Sequence, residues 1–392
     1  MNNTGVIARG IVTPIFRQGD DLIGIICDSL TESAENGGFS INDGDIVGVT
    51  EAVVGRVQGN YASLDQISKD VRTKFGGGSL GIVFPILSRN RFAKVLQGIA
   101  GGCDKLYIQF SYPRDEVGNR FLDLSVCDDK GVNPYTDNFT EKEFREIFGM
   151  NTKHIFTGID YIEYYKEITG NCEIVFSNDP AYILNFTKNI LCCDIHTRQR
   201  TKALIKKSGA EVCLCLDEIL NESVDGSGFS EYGLLGSNTA TEDSVKLFPR
   251  GTTEFVNGLQ MELHKRTGSK LEVMVYGDGC FKDPAGGIWE LADPVVSPAF
   301  TEGLAGTPNE IKIKYVADID FADLSGQALI DSIRERIKNK QSNLVGDMAA
   351  LGTTPRRIHD LVGSLCDLVA GSGDRGTPVV LVQNYFKNYA SE

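Results

Sequence analysis

Residues 370–383 read AGSGDRGTPVVLVQ. Gly371, Gly373 and Gly376 crowd one short turn. Before it stand Ile358, Leu361, Val362, Leu365, Leu368 and Val369 at helical spacing, and after it comes an apolar strand. Four residues separate Gly371 from Gly376, as in a phosphate-binding P-loop, but Thr377 occupies the lysine position. The order is also inverted: a P-loop follows a strand and opens a helix, whereas this turn ends a helix and opens a strand. A Walker-type element is therefore excluded. What remains is a glycine-rich turn whose backbone N–H groups can approach a ligand, with Asp374 and Arg375 at its rim. The plainer reading is a helix C-cap and a turn before a strand.

Working outward, KLEVMVYGDGCF (270–281) is an alternating strand that ends at Asp278 between two glycines. A carboxylate there suits Mg²⁺ or Mn²⁺ beside phosphate oxygens, and equally suits an Asp-Gly turn. Thr252 to Arg266 reads as a helix capped by Gly268, and EIKIKYVAD (310–318) as a lysine-alternating strand. In the middle of the chain, LGIVFPI, a helix opening at Ser88 and DKLYIQF, with Leu106, Ile108 and Phe110 inward, form one strand–helix–strand unit. CEIVFSNDPAYILNFTKNIL, with Asp179 capping a helix at Pro180, and the strand EVCLCLDEIL form a second. Two such units in series predict an α/β layer forming a separate lobe.

Near the N-terminus, GVIARGIVTPIF is strand-like, Asp21 to Ser33 is helical, and Ile46 to Val49 is a short buried strand after the turn Asn42-Asp43-Gly44-Asp45. Glu51 and Arg56 follow that strand. Arg56 is either a bidentate phosphate ligand or an ordinary exposed arginine. GSNTATED offers Asn238, Thr239, Thr241, Glu242 and Asp243 as a polar cluster for a ligand or a loop cap.

A chain of 392 residues with 41% apolar content is long enough for about two or three domains. Thirty-nine Lys+Arg against 53 Asp+Glu give a net charge of −14 without a basic run, so nucleic acid and an anionic membrane surface are disfavoured as partners. No signal-like N-terminus and no apolar run near 18 residues are present, and ten cysteines are spread without a framework. The expectation is a cytoplasmic protein. Cys192-Cys193 near His196, and Cys213-x-Cys215, lack zinc-site spacing, and His154, His196, His264 and His359 sit in no hydrolase motif.

TPIFRQGDDL, DGDIVGVTEAVVGRVQGN, GLLGSN and GSGDRGTPVV occur together and in this order. The set resembles the coenzyme F420 gamma-glutamyl ligase family. The resemblance implies an α+β fold whose core is built from residues 1–70 and 231–392, with an α/β lobe inserted at 71–230 and a smaller insertion at about 319–355. It implies GTP-dependent amide formation between L-glutamate and a carboxylate acceptor through an acyl phosphate, with Mg²⁺ or Mn²⁺, in a homodimer. By position it implies nucleotide contacts at Thr13, Pro14, Ile15, Phe16, Arg56 (in place of a lysine), Asn238 and the loop Gly371, Ser372, Gly373, Asp374, Arg375, Gly376, Thr377. It implies a metal ligand at Asp278 and assigns no catalytic residue. Leu235 and Ser372 stand at carboxylate positions of the family's metal set, for which Glu51, Glu242, Asp243 or Asp374 are the substitutes at hand, and Glu51 and Ala52 stand where small hydroxyl residues are usual. The competing readings are a nucleotide-binding protein without catalysis, a ligase for a folate, pterin-like or peptide carboxylate, and a cysteine-based redox or metal protein.

Overall fold

A computed structural model describes residues 4–150, 152–154, 157–277, 295–351, 356–370 and 374–391. Its strands are β1 (Ile7–Ile11), β2 (Ile46–Thr50), β3 (Tyr61–Ser63), β4 (Ser79–Val83), β5 (Lys105–Phe110), β6 (Phe139–Thr140), β7 (Cys172–Phe176), β8 (Asn189–Cys192), β9 (Val212–Cys215), β10 (Asn238–Thr241), β11 (Ser244–Lys246), β12 (Glu272–Tyr276), β13 (Ala299–Phe300) and β14 (Val379–Gln383). They form three sheets, a mixed α/β arrangement consistent with the α+β expectation.

The turn at Asp374–Arg375 leads into β14, which lies in a five-stranded sheet of order β1-β14-β2-β12-β13. β14 pairs antiparallel with both β1 and β2, while β2 and β12 run parallel. All five residues of β14 are buried because both faces are covered. Val379 and Leu381 join Val47, Val49, Val273 and Val275 beneath the helices Leu22–Gly37 and Thr252–Thr267. Val380 and Val382 point the other way, with Ile46, Met274 and Tyr276, onto the helix Ile358–Ala370. That helix sits close on the sheet: a Cβ at Gly48 would lie 2.6 Å from Cys366 Sγ. Its buried stripe is His359, Val362, Gly363, Cys366 and Ala370, so Leu368, expected on the apolar face, is 59% exposed.

The second sheet has order β6-β7-β5-β4-β8-β9 and is parallel except for β6. Leu80, Ile82, Leu106, Ile108 and Phe110 face the helices Leu64–Phe75, Phe92–Gly101 and Tyr161–Thr169. Val83, Ile190, Cys192, Cys213 and Cys215 face the opposite layer with Ile205. The third sheet, β10-β11-β3, is antiparallel and joins residues 61–63 to 238–246.

Two local expectations are corrected. The helix expected from Pro180 is one 3₁₀ turn, Tyr182–Asn185. Asp179 Oδ1 does accept from Ala181 N at 3.0 Å, but β8 begins at Asn189 and leaves no length for a helix. The crossover helix lies instead at Arg198–Lys207, where only Thr201 and Ile205 are buried and the apolar signal is therefore weak. EIKIKYVAD is not a strand: Ile313–Tyr315 is a helical turn that continues as a π-turn, and Val316 packs with Ile333 and Ile337 of the helix Gly326–Lys338. β9 lies at the sheet edge, so Val212 and Leu214 are half-buried and the strand is not covered on both faces. Among the described residues no helix is long and apolar enough to cross a membrane.

Candidate functional site

The parallel strands β2 and β12 end side by side at Thr50 and Tyr276. Ligands bind characteristically beyond the carboxyl ends of parallel strands, and here the chain leaves a cleft of 510 Å³. Thr13, Pro14, Ile15 and Phe16 line it, together with Arg56, Asn238, Gly376 and Thr377. With Glu51 and Ala52, ten of the residues singled out in the sequence thus converge from four distant segments.

Hydrogen bonds fix that convergence. Thr13 N donates to Gly376 O at 3.2 Å, which ties the N-terminal motif to the glycine-rich turn. Thr50 N donates to Pro378 O at 3.0 Å, the Tyr276 hydroxyl to the same carbonyl at 3.4 Å, and Thr377 Oγ1 to Ala370 O at 3.0 Å. Arg56 Nε donates to Phe16 O at 2.7 Å, so the guanidinium is held against the N-terminal motif with its terminal nitrogens left for a ligand. Asn238 opens β10 opposite Lys246.

Other expected residues fall elsewhere. Asp374 and Arg375 are exposed and do not line the cleft; Arg375 Nη1 donates to Val369 O at 3.2 Å, at the end of its own helix. Gly371, Ser372, Gly373 and Asp278 lie outside the described residues, although Gly277, which precedes Asp278, lines the cleft. Glu242 and Asp243 are exposed away from it. Leu235 is buried in the apolar cluster with Ile86, Phe92 and Val95, where it offers no oxygen to a metal.

Two carboxylates line the cleft among the described residues. Glu51 is 4% exposed and receives Lys246 Nζ at 2.8 Å, which neutralises it. Asp367, on the helix that leads to the glycine turn, is half-buried. Sequence reasoning missed Asp367, Tyr276 and Arg91, all of which line the cleft. Asp367 lies one helical turn before Ala370, and Arg91 lies in the loop after β4; either position, read as the end of an element, is a legible signal.

A second cavity of 740 Å³ adjoins the first and shares Ala52, Val53 and Arg56 with it. Arg17, Tyr61, Thr239, Thr241, Ser244 and Lys246 also line it. Among the described residues the two cavities carry four cationic side chains (Arg17, Arg56, Arg91, Lys246) against two carboxylates (Glu51, Asp367). A chain of net charge −14 thus keeps a locally cationic site.

The cysteines lie elsewhere. Cys192 Sγ and Cys213 Sγ are 3.8 Å apart in the second sheet, and Cys215, Asp217 and Glu218 place ligand atoms within 4.8 Å of one another. Arg198 Nε donates to Asp217 Oδ2 at 2.9 Å, Glu218 pairs with Lys202 and accepts from Cys215 N, and none of these residues lines the cleft.

The profile of the family described as F420-0:Gamma-glutamyl ligase matches residues 10–384. The chain belongs to this family. No curated protein matches the chain. As an F420-0:gamma-glutamyl ligase family member it falls among amide-forming ligases.

Proposed function

We propose that this family member joins L-glutamate to a carboxylate-bearing acceptor through an acyl phosphate, with GTP as phosphoryl donor and Mg²⁺ or Mn²⁺ as the metal. The observation that carries the reading is the cleft itself, which gathers Thr13–Phe16, Arg56, Asn238 and Gly376–Thr377 at the ends of β2 and β12. In this reading the nucleotide lies between the N-terminal motif and the glycine turn, Gly371, Ser372, Gly373, Asp374 and Arg375 belonging to that turn by sequence, while the acceptor occupies the adjoining cavity. Arg56 stands where the two cavities meet. Its guanidinium screens the repulsion between the acceptor carboxylate and the terminal phosphate.

The acceptor carboxylate oxygen attacks the terminal phosphorus, and the bond to the bridging oxygen breaks with its electron pair leaving on GDP. The glutamate amine then attacks the acyl carbon, loses a proton and expels inorganic phosphate. A bound divalent metal supplies charge neutralisation for the phosphates. By sequence position Asp278, which follows the cleft-lining Gly277, is its ligand, and Glu51 and Asp367 are the described carboxylates that line the cleft beside it.

The division into a core of residues 1–70 and 231–392, an inserted lobe at 71–230 and a smaller insertion at 319–355 belongs to the same proposal, as do the homodimer and a cytoplasmic location. Incubation with GTP, Mn²⁺, L-glutamate and a panel of carboxylate acceptors is expected to release phosphate and yield a glutamylated product; no turnover across the panel contradicts the reading. One observation favours a second reading. Leu235 in the apolar core and Glu51 neutralised by Lys246 reduce the carboxylates left for a metal. A nucleotide-binding protein without catalysis would bind GTP equally with and without Mn²⁺ and release no phosphate.

A further inference from the structure

We infer that Arg91, supplied by the six-stranded sheet, is a catalytic residue that contacts the phosphoryl group in flight. This inference rests on the nucleotide reading of the cleft. Among the described residues Arg56 and Arg91 are the two guanidinium groups lining that cleft, and they come from different sheets. Arg91 follows β4, whose neighbours are β5 on one side and β8 on the other. The chain runs outward from β4 in both directions, so the loop after β4 stands at a topological switch point, where parallel sheets place their ligand contacts. Here that loop opens onto the cleft of the other sheet.

The loop is held far more firmly than a surface connection requires. Asp115, fully buried, accepts from Leu87 N at 2.8 Å while also accepting from Val117 N, Asn119 N and Asn119 Nδ2. The Tyr165 hydroxyl donates to Ile86 O at 2.7 Å and accepts from Ser88 N at 3.1 Å. Arg91 N donates to Ser88 Oγ at 3.2 Å. Asn90 O accepts from both Thr239 N at 2.8 Å and Thr239 Oγ1 at 2.9 Å. The residue before Arg91 is thereby bonded to the residue after Asn238, which ties together two segments that each bring a residue to the lining of the cleft.

The chemistry calls for a cation there. Transfer of a terminal phosphoryl group to a carboxylate brings two anions together and spreads charge over the equatorial oxygens, which a forked guanidinium matches. Leu235 contributes no carboxylate to a metal. Arg91 makes up, as a fixed positive charge, part of what a fuller metal set would supply.

The test is calorimetric binding of GDP, with and without aluminium fluoride and with Mg²⁺ present, to the wild-type protein, Arg91→Ala and Arg91→Lys, each checked for an unchanged melting temperature. Aluminium fluoride with GDP mimics the transferring phosphoryl group and needs no acceptor. The wild type is expected to bind the fluoride complex more tightly than GDP. Arg91→Ala should weaken the fluoride complex by about 100-fold or more and GDP by less than about 3-fold, with Arg91→Lys in between. Added guanidinium ion should restore part of the loss in Arg91→Ala. Equal binding of the fluoride complex by the wild type and Arg91→Ala overturns the inference, as does a wild type to which fluoride adds nothing; in both cases the nucleotide reading stands. A wild type that binds no guanine nucleotide overturns that reading and the inference together.

Discussion

Breaking the Glu51–Lys246 pair is expected to be costly, and the structure fixes how costly. Glu51 is the first residue of the helix Glu51–Val57 beside the cleft, and Lys246 ends β11 of the small sheet. Their charged atoms are 2.8 Å apart, with side chains 5% and 12% exposed. At an effective dielectric constant of about 20, charges at that distance attract by about 6 kcal/mol before desolvation is counted. Desolvation offsets most of this, so the pair as a whole contributes little, but removing one partner strips the other buried charge of this compensation, at about 3–5 kcal/mol. Lys246→Met should therefore lower the unfolding free energy by about 3–5 kcal/mol, read as a reduced urea midpoint with an unchanged slope. Glu51→Gln combined with Lys246→Met should recover most of the loss. A loss below about 1 kcal/mol for Lys246→Met, or a double variant no better than the single one, would refute the assignment of a buried, mutually dependent pair.

Gly48→Ala should destabilise by about 1–3 kcal/mol, because the new methyl meets Cys366 Sγ at 2.6 Å, and Cys366→Ala in the same protein should recover part of it; thermal melting of both checks this. Burial pushes the Asp115 carboxyl from 3.8 up to about 6. The folded protein thus keeps this proton to a higher pH than the unfolded chain does, so its contribution is full below about 4 and is lost as pH rises to about 6, roughly 3 kcal/mol in all, a slope that Asp115→Asn should abolish in urea titrations at stepped pH. Arg56→Ala should weaken GTP binding by about 10- to 100-fold in calorimetry, the value of a charged hydrogen bond. Asp367→Asn should reduce the dependence of GTP binding on Mn²⁺ at least about 10-fold, measured by titrating the metal at fixed nucleotide.

Much of the core was legible because its residues announce themselves locally. The helix capped by Gly268 ends with that glycine in the left-handed conformation, Asp21 caps the first helix through Gly24 N, and Leu106, Ile108 and Phe110 alternate inward. The cleft was legible as four motifs in order, whose meeting is then fixed by contacts such as Thr13 to Gly376 that no periodicity encodes. Arg91 and Asp367 escaped notice for the same reason: each reaches the site through long-range packing, one from the second sheet and one from a helix whose apolar spacing draws the eye to its other face. The Arg198–Lys207 helix escaped because it buries only two side chains, and 310–318 misled because alternating lysines mimic a strand where Val316 needs one helical contact with Ile333 and Ile337.

The cleft between the N-terminal motif and the glycine turn is expected to drive glutamylation with a nucleotide. The most direct test supplies GTP, Mn²⁺, L-glutamate and the F420-0 acceptor, and follows phosphate and the acceptor's mass together. The expected result is one phosphate released for each acceptor that gains one glutamyl residue, with both lost when glutamate is omitted or Arg56 is replaced by alanine. Tight GTP binding with neither phosphate nor glutamylated product, for this acceptor or any other carboxylate offered, would contradict it.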